Sequence, residues 1–152
     1  MTTAHPGPRI EAGTLHEAVA ALRARGLRLS GARRVVLEAL YATDAPLSAE
    51  EIAEGIGKLP ASDLASVYRN LETLERLGLV RHVHLGHGAG RYVLAGRERE
   101  YLVCERCAAQ RAVQPEQLEG VREAVREATG FAARFSHFPI VGLCADCAAL
   151  ES

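Results

Sequence analysis

Two Cys-x-x-Cys turns, "CERC" at Cys104 and Cys107 and "CADC" at Cys144 and Cys147, account for every cysteine of the chain, with residues 108–143 between them. Each such turn aims two sulfurs at one point, and two turns complete the tetrahedral S4 shell of a closed structural zinc site. A fold built on that shell must bring residue 104 and residue 147 together, tying the first strand of a domain to its last segment. Four thiolates leave no position for water, so the reading is scaffolding and not catalysis. Two other readings stay open: unrelated knuckles or buried free cysteines, and an oxidoreductase in which one pair cycles between dithiol and disulfide. The oxidoreductase would carry one active pair on a βαβ unit, whereas this chain has two pairs and no parallel-sheet pattern. Thiol regulation through zinc release is a further reading, because metal-bound thiolates can be oxidised.

No apolar run approaches the roughly 18 residues of a membrane span. The start, "MTTAHPGPRI", lacks a basic segment followed by an apolar core. The expectation is a soluble, cytoplasmic protein, a compartment in which cysteines serve metals more often than disulfides. The formal charge of −1 hides an asymmetry: residues 1–34 hold six arginines against two glutamates, a net +4, leaving −5 for the rest. That split points to one domain that meets an anion and one that does not, the alternative being a solvated helix face.

Thr14-Leu-His-Glu17 has the capping-box pattern and opens a first helix that runs to Arg25 and closes at Gly26. Ser30 caps a second, with Val36, Leu37 and Leu40 on one face. Ser48-Ala-Glu-Glu51 repeats the box and predicts a third helix from Ser48 to Ile56. A fourth is predicted from Ser62 or Asp63 to Gly78, burying Leu64, Val67, Leu71, Leu74 and Leu77. Its opposite face, with Ser62, Ser66, Arg69, Asn70, Thr73 and Arg76, projects to solvent or to a ligand. Val80 to Leu85 and Arg91 to Leu94, around "GHGAG", read as a two-stranded hairpin. Three helices, a longer helix and a hairpin make a winged helix over residues 1–95, with 1–12 as a loose tail. From residue 96 to 152 the pattern is a second, α+β domain: strands at "YLVC" and "RAVQ", a helix from Pro115 to Thr129 stopped by Gly130, and a strand within Phe131 to Val141. The fold class is therefore α+β.

Along the strand from Val80 to Leu85, alternation puts His82 and His84 on one face, about 7 Å apart. Two imidazoles can share a divalent ion, but stable binding needs a third or fourth ligand. Spacing alone leaves exposed, solvated histidines as open a reading. His87, in the turn, is a further candidate.

The stretch "DLASVYRNLETLERLGLVRH", the two knuckles and the domain order resemble the ferric uptake regulator family of metal-sensing repressors, over about Leu15 to Cys147. The resemblance implies a homodimer joined through its C-terminal domains that clamps palindromic double-stranded DNA when loaded with metal, and not an enzyme. Within the family, "RHVHLGHGAGRYVLA" with "SHFPIVGLC" is most similar to the nickel uptake regulators. By that resemblance the regulatory ligands fall on His82, His84 and His137, for nickel or zinc, beside a structural zinc on the cysteines. The family's Tyr-Arg pair falls on Tyr68 and Arg69, and Arg28 matches a basic residue near the minor groove.

In a winged helix the helix before the hairpin enters the major groove, which makes Ser62, Ser66, Tyr68, Arg69 and Asn70 the base- and phosphate-reading candidates. Arg33 and Arg34, opening the second helix, are placed for phosphates. The chain also departs from the family pattern. Arg97, Arg99 and Tyr101 stand where a histidine-rich segment usually feeds a second metal site, and Pro46 replaces a histidine. An arginine cannot ligate a metal because its guanidinium stays protonated, so that second site is expected to be absent or rebuilt; Glu100 and Glu119 could assist a hard ion, the alternative being solvated surface glutamates. Two further classes remain to be separated by experiment: a zinc-scaffolded redox protein, and an interaction module on a degenerate winged helix.

Overall fold

Side chains that satisfy the free N–H groups of the first turn set where the helices begin. The computed structural model describes residues 9–86 and 88–151. Thr14 and Glu17 form the reciprocal box ahead of α1 (Leu15–Ala24). The Arg33 amide donates to Ser30 Oγ at 3.2 Å ahead of α2 (Gly31–Ala42), and Ser48 with Glu51 repeats the box ahead of α3 (Ala49–Glu54). Asp63 caps α4 (Leu64–Arg76) by accepting the Ser66 amide at 2.9 Å. α3 stops short of the expected Ile56 because Gly55 turns the chain at φ +96°, and an added Cβ there would lie 2.7 Å from the Leu59 carbonyl.

The apolar faces of α1 to α4 close on one core, in which Val36, Leu37, Val67, Leu71, Leu74 and Val80 are completely buried. Leu64 departs from the expected stripe. It is 39% exposed at the first position of α4, one turn before the helix meets the core at Val67. The hairpin is also more than two strands. β1 (Leu47–Ser48) pairs antiparallel with β3 (Arg91–Leu94), Leu47 opposite Tyr92, in a sheet of order β1-β3-β2 with β2 (Val80–Val83). A two-residue strand carries no periodicity of its own, so only its tertiary partner reveals it.

The second sheet is built on β4 (Glu100–Cys104), with β5 (Gln110–Val113) antiparallel on one side and β6 (Ile140–Gly142) parallel on the other. The parallel pair corrects the expectation of a sheet without one. One half-buried and two exposed residues do not make the continuous apolar run by which a buried parallel strand is recognised. The crossover is a 3-10 turn at Pro115–Leu118 followed by α5 (Glu119–Thr129), which Gly130 closes in the left-handed region at φ +77°. The expected single helix therefore starts one turn late. The final strand covers only the last two residues of the expected window and runs one residue past it, and α6 (Ala145–Ala149), which carries no expectation, follows.

The described residues divide into two compact units, one of 9–82 with 90–98 and one of 83–86, 88–89 and 99–151. The first is the winged helix; the second carries the mixed sheet. No helix among the described residues is long and apolar enough to cross a membrane.

Candidate functional site

Both cysteine knuckles lie in the second unit, where β4 and β6 run side by side. The Glu105 amide donates to the Gly142 carbonyl at 2.9 Å, which holds the first knuckle against the strand leading to the second. The first turn closes through Ala108 N to Cys104 O and Cys104 N to Ala109 O, both 2.9 Å, with Ala108 at φ +60°. Cys144 caps α6, so the second knuckle is its first turn. Arg106 reaches across to the Cys147 carbonyl at 3.3 Å. The four sulfurs lie within 4.8 Å of one another, and Cys107 Sγ is 3.8 Å from Cys144 Sγ. A tetrahedron with metal–sulfur bonds of about 2.3 Å has edges of about 3.8 Å, so the Cys107–Cys144 pair stands at the spacing a zinc ion requires and the other two sulfurs lie close to it.

The electrostatics agree with that chemistry. Hydrogen bonds from the backbone of Cys107, then Cys144, hold the Cys104 thiol down at about 6. The Cys144 sulfur, then burial, pushes Cys147 up to about 12. At Cys107 the largest influence, the Ala109 amide, lowers the thiol, yet the Cys104 and Cys144 sulfurs together outweigh it and raise it. The Cys104 thiolate forms readily and its charge adds to what holds Cys147 protonated, a cost that a bound dication would offset.

The second unit also brings His84 and His137 together. The His84 amide donates to the His137 carbonyl at 2.9 Å. Their rings lie 5.0 Å apart at 78°, each with a ring nitrogen within 4.8 Å of the other's. Phe138 stacks on His84 at 5.3 Å and meets the His137 ring edge-on at 4.5 Å. The ladder of β2 ends at Val83, before the expected Leu85, but the alternation persists. Val83 and Leu85 are buried against Tyr101 while His84 stays half-exposed, the His137 carbonyl replacing a strand partner. His82, two residues earlier and described within the first unit, hydrogen-bonds through Nδ1 to Glu75 Oε1 of α4. That bond raises its pKa above the ordinary value, against the opposing effect of burial. His87 lies outside the described residues.

Arg97, Pro46 and Tyr101, which interrupt the family pattern, are otherwise engaged. Arg97 donates to Asp44 and to the Gly13 carbonyl, both at 3.4 Å, and sits 5.3 Å over the Tyr41 ring. The Pro46 carbonyl accepts from Arg91 at 3.3 Å, and Tyr101 is a core residue. Glu100, 6% exposed, and Glu119 are both taken by Arg122, at 2.6 and 3.0 Å, whose guanidinium also donates to the Pro115 carbonyl. A fixed cation already lies between the two carboxylates.

On the first unit, the polar face of α4 is internally organised. Tyr68 donates to Glu50 Oε1 at 2.8 Å, and Arg69 donates to Ser66 Oγ at 2.9 Å. Asn70 corrects the expectation of a solvent-facing side chain. It is 8% exposed, donates to the Ser66 carbonyl at 2.8 Å and accepts from Arg33 Nε at 3.1 Å. Arg33 also donates to the Arg28 carbonyl at 2.6 Å, so the start of α2 and the middle of α4 share one polar link. Arg34 pairs with Glu38 at 3.7 Å, and the Ser62 amide donates to the Ala53 carbonyl at 2.8 Å. Glu50 and Glu75, which steer Tyr68 and His82, carry no periodic or motif signal in the sequence.

A model described as the ferric uptake regulator family matches residues 24–138. Among curated relatives, the peroxide operon regulator of Bacillus subtilis is 28% identical over 139 residues, 91% of this chain and 96% of that protein. The peroxide-responsive repressor PerR of Staphylococcus saprophyticus is 26% identical over 134 residues, 88% and 90% of the two chains. Among solved structures, that of the Helicobacter pylori ferric uptake regulator Fur, described as revealing three functional metal binding sites, is 25% identical with a TM-score of 0.66, covering 95% of this chain and 99% of that one. A zinc uptake regulator complexed with zinc and DNA is 27% identical with a TM-score of 0.50, covering 90% and 94%.

Proposed function

Because this chain belongs to the ferric uptake regulator family, we propose that it is a metal-responsive, sequence-specific repressor of metal-homeostasis genes that binds palindromic double-stranded DNA as a homodimer. The observation that carries the metal response is the His84–His137 pair, fixed by a backbone hydrogen bond and flanked by Phe138. Two imidazoles ask for a third ligand, and His82 stands two residues from His84. His87 is a further candidate. Imidazole donors favour nickel or zinc over harder ions, and nickel is the first choice. The cysteines hold a structural zinc, to which the 3.8 Å sulfur spacing is suited. Exposed Phe131, Phe138, Val141 and Leu150 on the second unit support a second copy as partner. Arg28, Arg33, Arg34, Ser62, Ser66, Tyr68 and Arg69 meet DNA, and Asn70 contributes from beneath.

His137→Ala tests the reading, with DNA selected from a random pool and binding followed by fluorescence anisotropy. The parent gains about 5- to 150-fold in affinity on metal addition, the span of ordinary allosteric coupling. The variant keeps its zinc and its metal-free affinity but loses the gain; a full response would overturn the assignment. The names of the Bacillus and Staphylococcus relatives favour a second reading, a peroxide-responsive regulator. It predicts release of DNA on adding hydrogen peroxide, with no preference for nickel.

A further inference from the structure

Glu75 sits in the last turn of α4 (Leu64–Arg76), where the backbone carbonyls give the helix end a partial negative charge that disfavours a carboxylate. Its partner there is an imidazole: Glu75 Oε1 meets His82 Nδ1, both side chains about one-third exposed. A neutral imidazole has one N–H and one lone pair, and the group that takes the N–H decides which nitrogen is left to bind. We propose that Glu75 is the positioning residue of the sensing site, accepting Nδ1–H of His82 so that Nε2 faces the metal. The inference rests on the reading of His82, His84 and His137 as the regulatory ligands. A carboxylate behind a ligating imidazole fixes the ring and makes the free nitrogen a stronger donor. Here the carboxylate belongs to the helix that also carries Tyr68 and Arg69, so one rigid element holds both the reading face and the support of one metal ligand.

The experiment uses full-length, zinc-loaded protein. In the parent without added nickel, nitrogen-15 NMR of His82 shows Nδ1 protonated; in Glu75→Ala that preference is lost. Calorimetric titration with nickel gives an affinity about 10- to 100-fold weaker for Glu75→Ala, the usual effect of deleting such a partner. Glu75→Gln, which keeps an acceptor oxygen, recovers part of it. Zinc content and metal-free DNA binding stay at parental values in both variants. A parental nickel affinity for Glu75→Ala, or a neutral His82 ring that carries its proton on Nε2 and not on Nδ1 in the parent, overturns the inference. His84→Ala and His137→Ala, titrated alongside, separate the two claims. If they bind nickel as the parent does, the ligand assignment itself fails; if they lose it while Glu75→Ala does not, only the role of Glu75 fails.

Discussion

Replacing Asn70 by alanine asks whether α4 places the arginine at the head of α2. The side chain makes two bonds, to the Ser66 carbonyl at 2.8 Å and from Arg33 Nε at 3.1 Å, and is 8% exposed. Losing the neutral bond costs about 1 kcal/mol and losing the one from a charged donor about 1.5–3 kcal/mol. Arg33 is half-buried and regains water on release, which puts the second figure at its lower end and the total at about 2–3 kcal/mol. With a denaturant slope of about 1–3 kcal/mol/M, the urea midpoint of the first unit falls by about 1 M. On DNA, a freed Arg33 must be ordered again at a cost of about 0.5–1.5 kcal/mol, weakening binding about two- to tenfold. The dependence of affinity on salt stays as in the parent, because no charge is removed. Arg33→Ala is the control and lowers that slope by about one. Parental midpoint and parental affinity in Asn70→Ala would refute the link, and a reduced salt slope would show that its effect runs through charge and not through the placement of Arg33.

Two further outcomes follow from the same geometry. Cys104→Ser removes a buried ligand from a site of the kind worth about 10–16 kcal/mol, comparable to a whole domain's stability of about 5–15 kcal/mol; the variant loses zinc by atomic absorption and its second unit loses protection from hydrogen exchange. The Glu50 carboxyl is held below its ordinary 4.5, first by a backbone hydrogen bond and then by the Tyr68 hydroxyl. A depressed carboxyl stabilises the fold above its unfolded pKa and that share is lost as pH falls through the folded value. Tyr68→Phe therefore shifts the carbon-13 titration of Glu50 upward and makes the protein less sensitive to acid in the window below 4.5.

What was legible in the sequence tracks how local its cause is. The caps at Thr14, Ser30 and Ser48 each need only the next three residues and stand where the residues place them, and of the two starts open for α4, Ser62 and Asp63, the cap is Asp63. The Cys-x-x-Cys turns were legible for the same reason. β1, β6 and the parallel pairing were not, since strands of two and three residues take their form from partners far along the chain. Asn70 was misjudged because a helical wheel registers one helix's core face and not the arginine of α2 that covers its flank. Arg122, lying between Glu100 and Glu119, belongs with these: no spacing rule pairs a strand residue with a helix residue across a crossover.

The parallel alignment of β6 with β4 also fixes an order of assembly. A growing polypeptide can complete the winged helix from residues made early, because its helices pack on near neighbours. The cysteine shell has no second half until residue 147 has been synthesised, well after residue 98 completes the first unit. During translation there is thus an interval in which the DNA-reading unit is already folded while the metal clasp is still open, so starvation for zinc strikes newly made chains before finished ones.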